Sequence, residues 1–523
     1  MAPRDLPRHG TLRVAAGLRF LHRELVEQEE GGRLHRAPGG ASWPHAVRGR
    51  ARAASRQAWS RVRPRALPRL TSVSAAPCGG WGGLLSHSGK NTHLTRRARD
   101  AKIPRLRGVV PNLSAPERAE PMADKVRLAM IGCGGMANGH LRGYELLYQK
   151  GMRNFEITAC VDPNLEAAGK FADTAEKFQG KRPAVLADYE EMISKKLANA
   201  ADIVTPHGLH HIIGCACLEN GIDVMIEKPI GITVRASRLI AETADKKKRI
   251  AATAENIRRG LGQRAIHWAL NEKKIIGEMR SFFSQGAGYS PFPGDAPPFR
   301  WRIQKLLSGG LMVMDSGAHF VDSMRYFFGD LERAYAELRL FEPAKFTDDK
   351  GNTIVSDCED SWSAILTFKS GLVGTWSWSN VQPGHSYRTV LYYGSEGSIK
   401  DTGDVFHGFQ SLAGEVMFKD GKTKSVNDLA IEFLLSLSPD DKERLFPYGI
   451  TNGVYLECWD FVDACAKRRR PDLDAWDGLK AKAFSETVYE SAAAGKAIAY
   501  DDVVACKVEK YQGPINKKWG LKK

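Results

Sequence analysis

The chain has 523 residues, with 76 Lys+Arg against 60 Asp+Glu, a length that suggests two or three domains and allows a buried core. The charge excess is local: residues 1–121 hold 23 of the basic and 8 of the acidic residues, leaving 53 basic against 52 acidic for residues 122–523. A nucleic-acid-binding body needs its basic residues on the folded domain, and no run of about 18 apolar residues is there to span a membrane, so neither partner is expected.

Residues 1–121 read as a disordered, Arg-rich extension. Of the 23 basic residues 21 are Arg, Pro, Gly and Ala fill much of the rest, and too few apolar residues recur to offset chain entropy. A transit peptide is also Arg-rich and acid-poor. The length and the acidic cluster from Glu24 to Glu30 favour an upstream extension instead, with Met122 opening the working protein. The twin Arg96-Arg97 has no apolar run behind it, which argues against an export signal. Nine cysteines without a framework spacing read as reduced thiols of a cytoplasmic enzyme. Cys215 and Cys217 sit two apart on an expected helix and point about 200° apart, so they read as core, and no metal site is expected.

From Lys125 the texture changes. Val126 to Ile131 is an apolar run of strand length that meets a glycine cluster at once. A helix follows, then a strand at Phe155 to Val161 ending on Asp162-Pro163. A helix from Leu165 to Phe178, an apolar run at Ala201 to Thr205, a helix from Ile212 to Glu219 and a strand at Val224 to Ile226 come next. This alternation implies an α/β, Rossmann-like doubly wound parallel sheet with helices on both faces, over residues 122–250. Residues 251–523 read as an α+β domain with a mainly antiparallel sheet. Ile276 to Phe282 is a turn into a strand, and Trp362 to Phe368 and Leu372 to Trp378 form a hairpin through Lys369-Ser370-Gly371. Helical patterns return at Val454 to Lys467 and Gly478 to Ala494.

Three motifs carry chemistry. Gly132-Cys133-Gly134-Gly135-Met136-Ala137 fits G-x-G-x-x-[GA] between a strand and a helix, the setting in which backbone approaches a pyrophosphate. Asp162 ends the second strand, where a carboxylate accepts from the ribose diol and repels a 2′-phosphate, favouring NAD over NADP. Glu227-Lys228-Pro229 follows a strand, so Lys228 emerges at the cofactor's edge, where an ammonium can stabilise a developing alkoxide; taken alone, the tripeptide reads first as a surface turn. Residues 309–322, with Asp315 and His319 four apart, read as one helix ending near Gly329 that carries both on the same face. A carboxylate and an imidazole converging on one hydroxyl suit proton abstraction, with His the natural base near neutral pH. In isolation a capped helix with a satisfied, buried His is an equal reading.

In this order, with Thr205-Pro206-His207 and His210 between the second strand and the EKP tripeptide, the motifs resemble the Gfo/Idh/MocA oxidoreductases over roughly residues 125–500. The Gly394-Ser395-Glu396-Gly397 turn and the closing helix from Phe484 to Ala494 resemble that family too. The resemblance implies Lys228, Asp315 and His319 as the catalytic group: His319 the acid/base, Lys228 the donor to the alkoxide, Asp315 the carboxylate that binds substrate or orients His319. It implies cofactor contacts from Gly132, Gly134, Gly135, Met136, Ala137, Asp162, Thr205, Pro206, His207, His210, Glu227 and Lys228. Substrate contacts fall to Arg258, Trp301 and Arg302 beside the catalytic group, and Glu255-Asn256 opens the segment linking the domains. His207 stands where the family more often has Asn. The body is longer than many relatives near Phe341 to Thr353 and Leu429 to Thr451, where insertions lie on loops.

The expected activity is hydride transfer between NAD and a hydroxyl carbon of a sugar, cyclic polyol or glycoside, by a homo-oligomer (dimer or tetramer). A second reading is a redox-assisted glycoside-cleaving enzyme passing through a keto-sugar, which regenerates NAD each turn. A third, a dinucleotide- and sugar-sensing regulator, would not need Lys228, Asp315 and His319 together. Deletion of residues 1–121 is expected to leave folding and turnover intact; a fall in thermal midpoint of more than about 5 °C, on the order of 1 kcal/mol or more, would show that the extension packs on the body.

Overall fold

The computed structural model describes residues 125–293, 300–402 and 408–522; the Arg-rich extension, with its acidic cluster and twin arginine, lies outside the described residues. Six strands form the first sheet: β1 (Val126–Ile131), β2 (Phe155–Val161), β3 (Ala184–Leu186), β4 (Ala200–Ile203), β5 (Asp223–Glu227) and β6 (Ala251–Ala254). They are all parallel, in the order β3-β2-β1-β4-β5-β6. Helices α1 (Gly135–Gln149), α2 (Leu165–Gln179), α3 (Tyr189–Ser194), α4 (His210–Glu219) and α5 (Val234–Lys247) make the crossovers. Leu128, Met130, Ala201, Ile203, Val224 and Ile226 are fully or almost fully buried, as strands covered on both faces require. The strand order reverses between β1 and β4, which opens a crevice beyond the carboxyl ends of the strands.

The sheet does not stop at residue 250. β6 pairs in register with β5, Val224 opposite Ala251 and Glu227 opposite Ala254, so the parallel layer runs four residues past the expected boundary. Its sequence, Ala251-Ala252-Thr253-Ala254, holds no large apolar side chain, because residues 473–474 lie across it: Thr253 N donates to Leu473 O at 2.9 Å and Thr253 Oγ1 to Asp474 O at 3.0 Å. β3 and α3, three and six residues long, were too short to stand out as periodic runs.

A nine-stranded mixed sheet follows, built from β7 (Met279–Ala287), β8 (Leu331–Arg339), β11 (Ser361–Phe368), β12 (Val373–Ser379), β13 (Tyr387–Gly394), β14 (Gly397–Asp401), β15 (Gly414–Phe418), β16 (Thr423–Ser425) and β17 (Ile498–Ala499). Only the β7–β12 pair is parallel. The expected hairpin joins β11 to β12, with Gly371 at φ 86° in its turn. Side chains alternate: Trp362, Ala364, Leu366 and Phe368 are buried, while Ser363 and Ile365 point outward. The inward face carries an aromatic layer in which Phe282 lies 5.6 Å from Phe328 and 5.9 Å from Phe368. The two expected insertions are a small hairpin, β9 (Lys345–Thr347) with β10 (Thr353–Val355), and a pair of helices at Val426–Ser436 and Pro439–Leu445.

Later helices stitch the two layers together. The helix Gly453–Lys467 lies along α1, where a Cβ on Gly143 would already be 3.1 Å from Cys458 Sγ and from the Tyr455 ring. The helix Ala475–Ala494, opened by a reciprocal Asp474–Asp477 capping box, packs on both α5 and β8.

One expected element differs in kind. Residues 309–316 are not helical: Gly309 and Gly310 have φ of 90° and 146°, and the helix spans only Gly317–Phe328. The loop is held by Glu359, whose carboxylate accepts from Val313 N at 3.0 Å, Leu311 N at 3.2 Å and Tyr489 Oη at 2.7 Å. A Cβ on Gly310 would fall 2.2 Å from Tyr489 Oη. Gly310→Ala is therefore expected to lower unfolding free energy by about 1–3 kcal/mol, the range for overpacking, measured by urea denaturation; an unchanged midpoint would mean the loop yields freely.

Candidate active site

Where β1 ends, the chain turns at Gly132, with φ 92° and a built Cβ only 2.2 Å from Val204 O, so a side chain has no room. Cβ atoms on Gly134 and Gly135 would meet nothing within 4 Å, so space lies open beside the first turn of α1. Asn164 caps α2 by accepting from Glu166 N and Ala167 N, whereas Gly134 offers α1 no side-chain cap. The first N–H groups of α1 and the positive end of its dipole therefore face an open space suited to a pyrophosphate. Ala137 is fully buried and lets the helix sit close to the strand. Asp162, at the end of β2, accepts from Cys133 N at 2.7 Å and Asn164 N at 2.8 Å. The two donors orient its carboxylate and leave lone pairs for a ribose diol. Thr205 lies against Gly132, and its buried Oγ1 has no hydrogen-bond partner among the described residues. This donor and acceptor set fits a dinucleotide.

Beyond β5 the chain delivers Lys228 to the crevice. Its ammonium donates to Asp315 Oδ1 and to Asp315 O, both at 3.0 Å, while Arg302 Nε donates to Asp315 Oδ2 at 3.1 Å. Burial works against the charge on Lys228, but the carboxylates of Asp315 and Glu227 outweigh it and hold the ammonium above its ordinary value. Burial likewise pushes Asp315 up, and Lys228 and Arg302 override it, leaving the carboxyl far below the usual range.

His319 has a different partner from the one expected. Asp315 precedes the helix that carries His319, so the two do not share a helical face, and Asp315 is committed to Lys228 and Arg302. Glu255, just past β6, lies 2.8 and 3.0 Å from His319 Nδ1 through its two oxygens. Burial would raise Glu255, but His319, the Ile257 N–H and Lys228 together bring it down to about 2. An ionised carboxylate on Nδ1 requires the proton there, which leaves Nε2 as the lone-pair nitrogen. Glu255 was readable from sequence only as part of a domain link; a carboxylate closing a buried run of small residues was the available signal.

The wall of the crevice is aromatic and cationic. His207 meets the Trp301 ring edge-on at 4.7 Å, and the Arg302 guanidinium lies 4.4 Å from the same ring. Burial pushes His207 well below its ordinary value; it is neutral, and Nδ1 donates to Ser308 O at 3.0 Å.

Three expected contacts lie elsewhere. Glu227 does not face the cofactor: strand alternation turns it inward as it turns Lys228 outward, and its Oε1 is 3.4 Å from His140 Nε2 in a sealed cluster with Asp202 and Glu457. His210 is fully buried, with its ring nitrogens 2.9 Å from Pro229 O and 2.7 Å from Thr205 O, and ties two crevice loops together. Arg258 is committed to Asp322 through a bidentate pair at 2.5 and 2.6 Å, because its short 3₁₀ turn faces the helix one turn beyond His319.

Residues 126–255 match the family model described as an oxidoreductase family with an NAD-binding Rossmann fold, and residues 268–400 match a GFO/IDH/MocA C-terminal domain. Levoglucosan dehydrogenase of Pseudarthrobacter phenanthrenivorans is 25% identical over 297 residues, 52% of this chain and 73% of that protein. Glycosyl hydrolase family 109 protein 1 of Akkermansia muciniphila is 23% identical over 163 residues, 30% of this chain and 33% of that protein. In structure, levoglucosan dehydrogenase in complex with NADH and levoglucosan aligns at a TM-score of 0.57 and 22% identity, over 72% of this chain and 99% of that one. That last likeness is one of fold.

The Glu255–His319 contact has a measurable signature. A carboxyl lowered from the ordinary 4.5 to about 2 adds stability that is fully present above 4.5 and lost as pH falls toward 2. Glu255→Gln should therefore lose less unfolding free energy than the wild type between pH 5 and pH 3 in urea titrations. Equal losses in both proteins would remove Glu255 from the site.

Proposed function

The chain belongs to the Gfo/Idh/MocA family of NAD-binding oxidoreductases, and on that premise we propose that it oxidises a hydroxyl-bearing carbon of a sugar, cyclic polyol or glycoside. The observation that carries this reading is the convergence of Lys228, Asp315 and the Glu255–His319 pair beside an open dinucleotide turn. NAD, when bound, supplies the hydride acceptor. Gly134, Gly135 and Met136 hold its pyrophosphate through backbone N–H groups at the turn that Gly132 makes, Asp162 takes the ribose, and Thr205, Pro206 and His207 border the nicotinamide side.

The chain's own residues handle the proton and the oxygen. His319 takes the hydroxyl proton on Nε2, and Glu255 compensates the imidazolium that forms. Lys228 donates to the substrate oxygen and stabilises its developing negative charge; Asp315, itself held by Arg302, keeps that ammonium in place. Trp301 presents an apolar plate of the kind that packs on a sugar ring.

The glycoside-cleaving reading is disfavoured: the match to a dehydrogenase spans 73% of that relative, and the match to a glycosyl hydrolase 33%. A regulator would have no use for the assembled group. We also place the protein as a homo-oligomer, because Phe283, Tyr335, Ile365, Val373, Tyr393 and Met417 are exposed on the strands of the large sheet. The eight described cysteines are all free thiols, which supports a cytoplasmic setting. Among the described residues no helix is long and apolar enough to cross a membrane.

NADH accumulation against sugars, inositols and their glycosides tests the reaction, since a cleaving enzyme regenerates NAD each turn. His319→Ala is expected to cut kcat by roughly 10²–10⁴-fold with NAD binding intact. Lys228→Ala should cut it by on the order of 10²–10³-fold. Near-normal turnover of His319→Ala, with NAD binding followed by protein fluorescence, would demote His319 to a core residue.

A further inference from the structure

Beside the proposed catalytic group lies a narrow cavity, lined in part by Lys228 and Glu255, that no step above uses. It is lined by Lys228, Glu255, Thr253, Asp322, Lys482 and Ser485, together with apolar side chains. Its free space admits about one or two water molecules. Glu255 thus stands between His319 on one side and this cavity on the other.

Lys482, on the cavity wall, forms an ion pair with Glu486 one turn further along the helix Ala475–Ala494, and the two are 2% and 0% exposed. The pair is poorly satisfied for so deep a position. Lys482 Nζ has Met314 Sδ, a weak acceptor, at 3.2 Å. Apart from Lys482, the oxygens of Glu486 meet no hydrogen-bond donor among the described residues. A buried ion pair repays its desolvation only when further hydrogen bonds satisfy both ions, and is often matched or bettered by apolar residues of the same volume. Stability therefore does not account for it, whereas its place on a water-sized cavity beside Glu255 does.

We propose that Lys482 and Glu486 form a buried proton acceptor for the oxidation, reached from His319 through Glu255 and the cavity water. The inference rests on the dehydrogenase reading above. As His319 takes the substrate proton on Nε2, its Nδ1 proton passes to Glu255. The Lys482 ammonium gives one of its protons to Glu486, and the amine left behind is reprotonated by the water, which takes the proton from Glu255 in turn. Every intermediate carrier ends with the protons it began with, and the net change is one proton moved from the hydroxyl to Glu486. No electrons move along this path. Burial raises the Glu486 carboxyl to about 7 against the opposing pull of Lys482, so it can take and release a proton at neutral pH. The other charges facing it are Glu490 on its own helix and Lys305 from the short helix Lys305–Ser308; Tyr511, from the C-terminal segment, also lies within its field.

The test compares wild type with Glu486→Gln and with the double variant Lys482→Met, Glu486→Gln, which removes both charges. With His319 and Glu486 both required in their deprotonated forms, log kcat of the wild type falls on the acid side with a slope approaching 2. In either variant it falls with a slope of 1, and kcat at pH 7.5 drops by about tenfold, less than the loss of a direct acid–base group. Glu486→Asp, which keeps a carboxyl on the same turn, recovers part of the rate and the second proton. Slopes and rates that match the wild type in a folded double variant would overturn the proposal. So would a single-proton limb in the wild type itself, a result that needs no variant to fold. An absence of NADH formation by the wild type with every polyol and sugar tried would overturn the underlying reading as well, and is distinguished by occurring before any substitution.

Discussion

The active crevice hangs on one ion pair. Lys228 leaves the carboxyl end of the fifth parallel strand and reaches the loop ahead of the His319 helix, where Asp315 offers it both a carboxylate and a backbone oxygen at 3.0 Å. The two residues belong to different layers of the molecule and are 87 apart in sequence. Removing either would leave the other with its charge only partly compensated in a poorly solvated crevice, which costs more than the pair is stabilising. Arg302 fixes the second oxygen of Asp315, and Glu359 fixes the loop from beneath. The position of the ammonium is thus set by the sheet, and that of its partner by a hydrogen-bonded loop that cannot become helix at Gly309 and Gly310.

Buried charge recurs in this protein in two styles. At the crevice, Asp315, Glu255 and Arg258 each meet partners at good distances. Deeper, His140 sits 2.9 Å from Asp202 and 3.4–3.5 Å from Glu227 and Glu457. Asp202 and Glu227 belong to the parallel sheet, His140 to the dinucleotide helix, and Glu457 to the helix Gly453–Lys467 that returns from the second layer. Burial pushes the Glu457 carboxyl well above the usual range against the pull of His140. The cluster ties the first helix of the parallel layer to β4, to β5 and to the helix Gly453–Lys467.

Sequence carried the architecture well wherever side-chain period decides structure. β1, β2 and β5, the helix from Leu165 and the hairpin at Gly371 announce themselves through apolar runs and turn residues. β6 did not, because its neighbours leave room only for alanine and threonine. The proposed catalytic trio could be named, since its residues lie in two compact motifs, but its internal wiring could not. Four-residue spacing suggested that Asp315 serves His319, an inference valid only on a helix, and Glu359, 44 residues further on, captures the N–H groups that a helix would have used. The true partner, Glu255, is 64 residues from His319 and has no spacing rule to reveal it. Glu227 and His210 show the converse: both sit in recognisable motifs, yet strand alternation and burial turn them away from the ligand.

These misreadings share a cause that bears on how the site works. Motif residues contacting the dinucleotide act largely through backbone, so turn geometry and glycine spacing encode them locally. Groups that act on the substrate are side chains brought together from separate loops, and their protonation states depend on which other charges the fold places behind them. Glu255 contacts His319 on one side and lines a small cavity with Lys228, Asp322 and Lys482 on the other. The acid–base behaviour of the site is therefore a property of the interface between the two layers and not of His319 alone. It should be as sensitive to substitutions on the helix Ala475–Ala494, whose Lys482 lines the same cavity as Lys228 and Glu255, as to some of those lining the crevice.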